Sequence, residues 1–456
     1  MITNKLIPLI GLLALAVPCL GAPHFTDKRH HDGQDKSCIS FPEFLEQVKH
    51  ATFEDYSDTK VESKEAFQDI KDHVLGMYDG VCVEEVTSFV LEEEYGDCLK
   101  IEEQPTVRQF GIQWIEKPPP DLTCPNQTNP YGHVPGTFEY VESPLKLGLK
   151  DRFGNPISCP KNKIPMARLT LEKLTRFSTL NDFFAKSSQE LVPLQKRQAP
   201  QATGHLHAVG IENVDNFGGN SWLNLWNPKV YDNSDFSLSQ QWYVGGEGAN
   251  RQTVEGGWQV YPQKYDTNDA VLFIYRTAAN YTAGSGCYNL DCTGFVQINH
   301  NWYLGGIWDH YSTTNGTQWG FELQWKLYNK NWWLWLKGPG DYEAVGYYPT
   351  SLFNGGQMSE HATKIEYGGE VYRAQSGHSW PQMGSGAPAS KGFGQAAFQN
   401  LIFYTLRDEN GGVGAWGNLR AFVTGSSCYS IDITNANGGS WGTYLFFGGQ
   451  GAITCT

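Results

Sequence analysis

Between residues 205 and 450 the chain is written in short runs of alternating or aromatic residues, each closed by Gly, Asn, Asp or Pro, and few folds accommodate that pattern. The runs are Leu206–Ile211, Trp222–Trp226, Phe236–Val244, Gln252–Tyr261, Val271–Arg276, Phe295–Ile298, Gly320–Leu327, Trp332–Lys337, Ala344–Tyr348, Lys364–Arg373, Asn400–Leu406 and Tyr444–Phe447. Strand side chains alternate between two faces, so such runs between turn residues describe short strands. Twelve of them in one stretch indicate a sandwich or a barrel. Glycine recurs inside the runs, as bulged and strongly twisted strands require. No period of roughly 20–50 residues stands out, so a propeller is not expected.

The front of the chain is built differently. Residues 1–197 carry 22 Lys/Arg and 29 Asp/Glu, whereas the following 259 residues carry 12 and 19. Fourteen of the fifteen tryptophans lie in that second part, Trp114 being the exception. Two units therefore meet near residue 197, in keeping with a length of 456 residues. The first reads as mixed α/β. Phe41–His50 and Ser63–Tyr78 have helical character; in the second, Ser63 caps, Phe67, Ile70, Val74 and Tyr78 share a face, and Gly80 follows. Val83–Leu91 and Phe138–Leu147 resemble strands, while Pro118–Pro120 and Cys124–Gly136 read as loops.

The compartment follows from the first residues. Met1–Lys5 is a short n-region, Leu6–Leu20 is apolar, and Cys19-Leu20-Gly21 offers small residues for cleavage, so residues 1–21 are expected to be a signal peptide. No later stretch approaches a membrane span, and the protein is expected to be secreted. Cysteines are then expected in disulfides, and Cys287-x4-Cys292 lacks the companions a zinc site needs. Asn126, Asn280 and Asn315 head glycosylation sequons. A formal charge of −14 argues against a nucleic-acid partner. At the junction, Lys196-Arg197 is a dibasic pair in a proline-flanked linker, the accessible kind of segment that processing proteases cut. The expected domains are thus 1–21, 22–197 and 198–456.

Catalytic candidates narrow by elimination. Gly438-Gly-Ser440-Trp-Gly442 matches a nucleophile elbow formally, but no histidine follows it and the context is all β. His205-Leu-His207 places two imidazoles on one strand face without an obvious third metal ligand, so no metal and no cofactor is expected. Carboxylates remain. Glu255 lies in Thr253-Val-Glu-Gly-Gly-Trp258, and Glu366 and Glu370 lie in Lys364-Ile-Glu-Tyr-Gly-Gly-Glu-Val-Tyr372. Two close, buried carboxyls are driven to different pKa values, so one can act as acid and one as base. The plainer alternative is that these are strand residues paired to Lys364 or Arg373. Glu366 and Glu370 share a face of a regular strand, so spacing does not choose between them.

These stretches resemble the neprosin family of secreted glutamic peptidases. The resemblance runs in order through Leu223-Asn-Leu-Trp-Asn-Pro228, Val254-Glu-Gly-Gly-Trp-Gln-Val-Tyr-Pro262, Gly286-Cys-Tyr-Asn-Leu-Asp-Cys292, Glu366-Tyr-Gly-Gly-Glu370 and Trp441-Gly-Thr-Tyr444. It implies a twisted antiparallel β-sandwich, an acid-acting endopeptidase cutting after proline, and Glu255 and Glu370 as its catalytic pair. It also implies the disulfides Cys287–Cys292 and Cys428–Cys455, and Cys98 with Cys159 in a front unit similar to the family's activation peptide. That unit is then expected to inhibit the enzyme until removed, either by a kexin-like protease or by self-cleavage in acid. Trp258, Tyr348 and Tyr367 are candidates for a prolyl pocket, although the chain has Tyr367 and Tyr348 where plant members have Trp. Peptide or protein substrates, proline-rich ones above all, are the expected partners. A secreted β-sandwich glycoside hydrolase and a non-catalytic carbohydrate-binding protein remain as rival readings.

Overall fold

The structure is a computed structural model that describes residues 39–456 apart from 92–93, 127–131, 144, 146–156, 187–201, 407–413 and 436–438. The expected signal peptide, Cys38 and the Lys196-Arg197 pair lie outside the described residues.

Capping and one apolar face set the front helices. Ser40 Oγ accepts from Glu43 N–H to start α1 (Phe41–His50), and Ser63 Oγ accepts from Ala66 N–H to start α2 (Lys64–Tyr78). Phe67, Ile70, Val74 and Tyr78 of α2 are buried together with Phe41, Phe44 and Val48 of α1. The strands β1 (Thr87–Leu91) and β2 (Glu94–Lys100) form a hairpin, and α3 (Pro105–Gln109) follows. A two-residue β3 (Glu139–Tyr140), β4 (Lys163–Ala167), α4 (Leu171–Leu174) and α5 (Leu180–Phe184) complete the unit. β1, β2 and β4 make an antiparallel sheet in that order. Arg168 and Asp97 form a buried ion pair at 2.6 Å that ties the end of β4 to β2. The sequence reading overextends two strands here. Val83–Glu85 is a 3-10 turn, because the ladder partner Cys98 is reached only at Thr87. Among the described residues of Phe138–Leu147, only Glu139–Tyr140 form a strand.

The remaining strands are β5 (Gly204–Asn216), β6 (Gly218–Asn224), β7 (Phe236–Gly245), β8 (Gln252–Val260), β9 (Val271–Thr277), β10 (Gly286–Tyr288), β11 (Val296–Gln297) and β12 (Trp319–Tyr328). Between β8 and β9 lies the one-turn α6 (Pro262–Tyr265). There follow β13 (Asn331–Lys337), β14 (Glu343–Pro349), β15 (Ala362–Arg373), β16 (Ala397–Thr405), β17 (Gly414–Trp416), β18 (Arg420–Val423), β19 (Ser430–Thr434) and β20 (Tyr444–Gly448). A seven-stranded sheet runs β10-β9-β8-β7-β15-β5-β18. A ten-stranded sheet runs β11-β14-β13-β12-β6-β16-β20-β19, with β17 beside β16 and β3 beside β12. The ladders of the two sheets are antiparallel except β3 with β12, and the two inner faces meet over Tyr243, Trp258, Leu323, Trp325, Trp332, Tyr348 and Tyr367, all buried. The fold is therefore the antiparallel β-sandwich that was expected, preceded by a smaller mixed unit.

All twelve sequence runs fall on strands. Four strands escape that reading: β10 and β17 have three residues each, β18 has four partly exposed residues without alternation, and β19 alternates only over Ile431 and Ile433, both half-buried. The disulfides Cys98–Cys159, Cys287–Cys292 and Cys428–Cys455 are all formed, and Cys82 and Cys124 have no disulfide partner among the described residues. Among the described residues no helix is long and apolar enough to cross a membrane. The front unit docks on the sandwich through its main chain as much as its side chains. His73 Nε2 lies 2.8 Å from the Asp291 carbonyl, and the Gln104 amide exchanges two hydrogen bonds with the Gln297 backbone.

Candidate active site

Strand parity decides what faces the open side of the seven-stranded sheet. On β8 it is Glu255 and Gly257; on β7, Gln240 and Trp242; on β15, Glu366, Gly368 and Glu370; on β5, His205 and His207. Register then places these residues. Gly257 and Gly368 flank Gln240, Glu255 lies beside Trp242, and Glu370 lies between Leu238 and His207. The two glycines allow the neighbouring strands to approach closely here. A Cβ on Gly257 would stand 2.0 Å from the Ser239 carbonyl oxygen, and Gly368, at φ +141°, would bring one within 2.3 Å of the Ala208 oxygen. The result is a hollow floored by Gln240, with one glutamate at each diagonal corner.

Lys186, from the segment just after α5, fills that hollow. Its Nζ lies 2.5 Å from Glu255 Oε2 and 3.1 Å from Glu370 Oε2, above the Trp242 ring at 5.1 Å. All three charged groups are buried, with side-chain exposures of 4 %, 0 % and 4 %. Burial works against the ammonium, but the two carboxylates outweigh it and hold the Lys186 pKa above its ordinary value. Glu255 takes three further hydrogen bonds: from Gln240 Nε2 at 2.7 Å, Thr253 Oγ1 at 2.7 Å and Tyr281 OH at 2.6 Å. Glu370 is served differently. His205 Nδ1 donates to Oε1 at 2.5 Å and His207 Nε2 lies 3.5 Å from the same oxygen. Burial raises the Glu370 pKa, but Lys186, His207 and His205 together hold it well below the usual carboxylate range. Burial pushes the His205 pKa down, only partly offset by Glu370.

The cleft extends from Glu370 and Lys186 as a cavity of about 570 Å³, with Glu255 behind Lys186. Trp242, Arg251, Tyr281, Lys364 and Glu366 line it with Lys186 and Glu370. Glu366 is a neighbour of the pair: Lys364 Nζ lies 2.5 Å from its Oε1, and Arg251 lies 3.7 Å away. The alternative of a glutamate paired to Lys364 therefore describes Glu366 and not Glu370. Arg373 instead donates to the carbonyls of His378 and Ile453.

Three expected pocket residues are elsewhere. Trp258, Tyr348 and Tyr367 lie between the two sheets, fully or almost fully buried and outside the cleft lining. Trp258 donates its indole N–H to the Asn224 carbonyl at 2.9 Å, and Tyr367 OH meets Tyr243 OH at 3.1 Å. The reason is parity: Trp258 and Tyr367 stand an odd number of residues from Glu255 and Glu370, so they point through the sheet. Trp258→Ala is accordingly expected to cost about 3–5 kcal/mol of stability, read as a lower Tm, with the sequence preference of any cleavage unchanged. Ser440 sits in a turn ahead of β20 and not on a strand-to-helix elbow. Asn126 and Asn315 are exposed and Asn280 is half-buried. Sequence reasoning missed Lys186, Gln240, Thr253 and Tyr281. It saw His205 and His207 only as possible metal ligands, and among the described residues no metal-binding cluster is found.

Two solved structures of scytalido-glutamic peptidase, each with a transition-state analogue, are similar to this chain. They share 9 % identity, cover 55 % of this chain and 98 % of their own, and give TM-scores of 0.29 and 0.26, too low to carry any argument about chemistry. The sequence comparison is more direct. The family model described as Neprosin matches residues 233–450, a span that holds Glu255, Glu366 and Glu370 together with fourteen consecutive strands of the sandwich, and these residues therefore form a neprosin-family domain.

Proposed function

We propose that the protein is a glutamic endopeptidase made as an inactive precursor, in which Glu255 and Glu370 cleave peptide bonds once residues 22–197 have been released. The observation that carries this reading is the bridging of both carboxylates by one buried ammonium from the front unit. An ammonium held between two acids engages both carboxylates and fills the space a scissile peptide and its attacking water need. The Neprosin family match supports the same chemistry.

The two carboxyls differ enough to be assigned roles. After Lys186 leaves, Glu370 keeps His205 and His207, which favour its ionised form, so it serves as the base that takes a proton from water. Glu255, positioned by hydrogen bonds from Tyr281, Thr253 and Gln240, is the remaining carboxyl and hands the proton to the leaving nitrogen. The carboxamide of Gln240, at the floor of the hollow, is placed to donate to the oxyanion of the tetrahedral intermediate. Cleavage after proline, secretion through residues 1–21 and glycosylation at Asn126, Asn280 and Asn315 belong to the same reading, as does cutting at Lys196-Arg197. A kexin-like protease makes that cut, or else the enzyme itself cleaves in acid near Pro193 or Pro200.

Acid is expected to release the front unit. Lys186 lowers the Glu370 pKa further while it is docked, so the share of the docking free energy due to Glu370 is present while Glu370 is ionised in the released protein and is lost as pH falls from the released-state pKa through the more depressed docked one. His73 acts in the same direction. Burial against Asp291 lowers its pKa from 6.5, so below that value the released state takes up the proton more readily than the docked one. Size-exclusion chromatography of the chain cleaved after Arg197 is expected to show one particle near pH 7 and two below about pH 4. Co-elution throughout would contradict the mechanism.

The function itself is tested with a proline-containing reporter peptide incubated with the matured chain between about pH 2 and pH 7, with cut sites read by mass spectrometry. Acid-dependent cuts after proline are expected. Absence of cleavage at every pH, with hydrolysis of glycosidic bonds instead, would assign the carboxylates to a glycoside hydrolase. Glycan binding without any hydrolysis would leave a carbohydrate-binding protein.

A further inference from the structure

Residues 112–125 cross the outer face of the ten-stranded sheet as a strap with neither helix nor strand. Ile112, Ile115, Pro119, Leu122 and Pro125 are the buried or half-buried apolar positions, close to every third residue, with Asp121 half-buried between two of them, whereas Trp114, Pro118 and Pro120 are exposed. A repeat of three is the period of polyproline II, which Pro118-Pro119-Pro120 favours. The sheet holds this strap by its main chain. Glu116 N–H donates to Tyr347 OH at 3.4 Å, Lys326 Nζ donates to the Pro120 carbonyl at 2.7 Å, and the Gln324 amide takes Leu122 N–H at 3.0 Å and returns a bond to its carbonyl at 3.4 Å. Beside these donors stands an aromatic wall in which Ile112 and Ile115 pack against a cluster of Trp333, Trp335 and Tyr347. The indole N–H groups of Trp333 and Trp335 are buried without an acceptor among the described residues.

We infer that this groove is a second peptide-binding site, vacated with the front unit and then taken by an extended, proline-rich segment of a substrate protein. The inference rests on the release proposed above. The strap itself shows the chemistry of the occupant. Contacts to main-chain groups tolerate many sequences, a flat aromatic wall accepts proline rings, and an indole N–H beside such a wall donates to the carbonyl of an extended chain. Release would otherwise leave three neighbouring aromatic residues open to water. The groove lies on the sheet opposite the glutamates, so a substrate held there leaves the cleft free. It also raises the local concentration of the rest of that substrate around the cleft.

The test uses a fluorescein-labelled peptide of residues 112–125 with Cys124→Ser. Its host is the chain carrying Glu255→Gln and Glu370→Gln, cleaved after Arg197 and freed of the front unit in acid. Fluorescence polarisation is expected to show saturable binding, about tenfold weaker for the uncleaved chain, for Gln324→Ala with Trp335→Ala, and for a peptide with Pro118, Pro119 and Pro120 changed to Ser. With wild-type glutamates, Gln324→Ala is expected to leave cleavage of a short reporter unchanged and to raise KM for a long proline-rich protein. Three results would overturn the inference: no binding to a cleaved chain that keeps its melting transition, equal binding to the uncleaved chain, or displacement by a β-glucan oligosaccharide and not by unlabelled peptide. Binding without peptidase activity in the wild-type chain would sustain the groove and remove the proposed enzyme. Activity without binding would do the reverse.

Discussion

Glu370→Gln in the matured chain is expected to lower kcat for peptide cleavage by about a thousandfold, and Glu255→Gln by a similar factor, with KM changed little. Each exchange is isosteric and keeps hydrogen-bonding capacity, so His205, Tyr281 and Thr253 retain partners and the sheet keeps its packing. What is lost is the ability to hold or hand over a proton. A thousandfold loss corresponds to about 4 kcal/mol of transition-state stabilisation, within the range of a positioned acid or base. Glu366→Gln is the matched control, because that side chain is already committed to Lys364 and Arg251. It is expected to change KM and not kcat. If both catalytic-pair variants keep wild-type kcat, the chemistry resides elsewhere; if Glu366→Gln falls as far as Glu370→Gln, the assignment within the motif is wrong.

Lys186→Ala in the full-length precursor should have the second large effect. Removing the ammonium leaves two buried carboxylates facing each other with nothing between them. Breaking a buried ion pair from one side costs about 3–5 kcal/mol, because the remaining charge stays desolvated. Here the free energy is lost from the docked state, so the front unit is expected to separate at a higher pH than in the wild type. Precursor activation, followed as reporter cleavage against pH, should shift upward by about one to two pH units. Lys186→Met separates charge from packing: it keeps an apolar stem over Trp242 and loses only the ammonium, and it is expected to behave like Lys186→Ala. A Lys186→Ala precursor that stays silent to the same pH as wild type would show that other contacts of the front unit control access. His73 and Gln104 would then be the first to change, since they hold that unit on the sandwich without touching the glutamates.

Much of the sandwich was legible in the amino-acid order, because a strand records its own two faces. Alternation located twelve strands. It also contained the information that Trp258 and Tyr367 cannot share a face with Glu255 and Glu370, which a search for aromatic residues near a motif overlooked. The helices α1 and α2 were equally readable from Ser40 and Ser63 and the apolar positions behind them. Short edge strands such as β18 were not, since three or four half-exposed residues leave no periodic trace. The site was readable only in part. Glu255 stands out as a carboxylate in an apolar strand, but Glu366 and Glu370 are equivalent by spacing, and the family resemblance was needed to prefer one. The tertiary structure distinguishes them physically: register sets Glu370 beside His207 and within reach of Lys186, and Glu366 beside Trp242 with Lys364 and Arg251. The sequence alone thus determined the sheets, their buried faces and the supply of carboxylates, all consequences of local alternation. Only the folded chain brought Lys186 onto Glu255, 69 residues away, and Gln324 onto Leu122, 202 residues away, because contacts across such separations depend on sheet order and register and leave no local pattern.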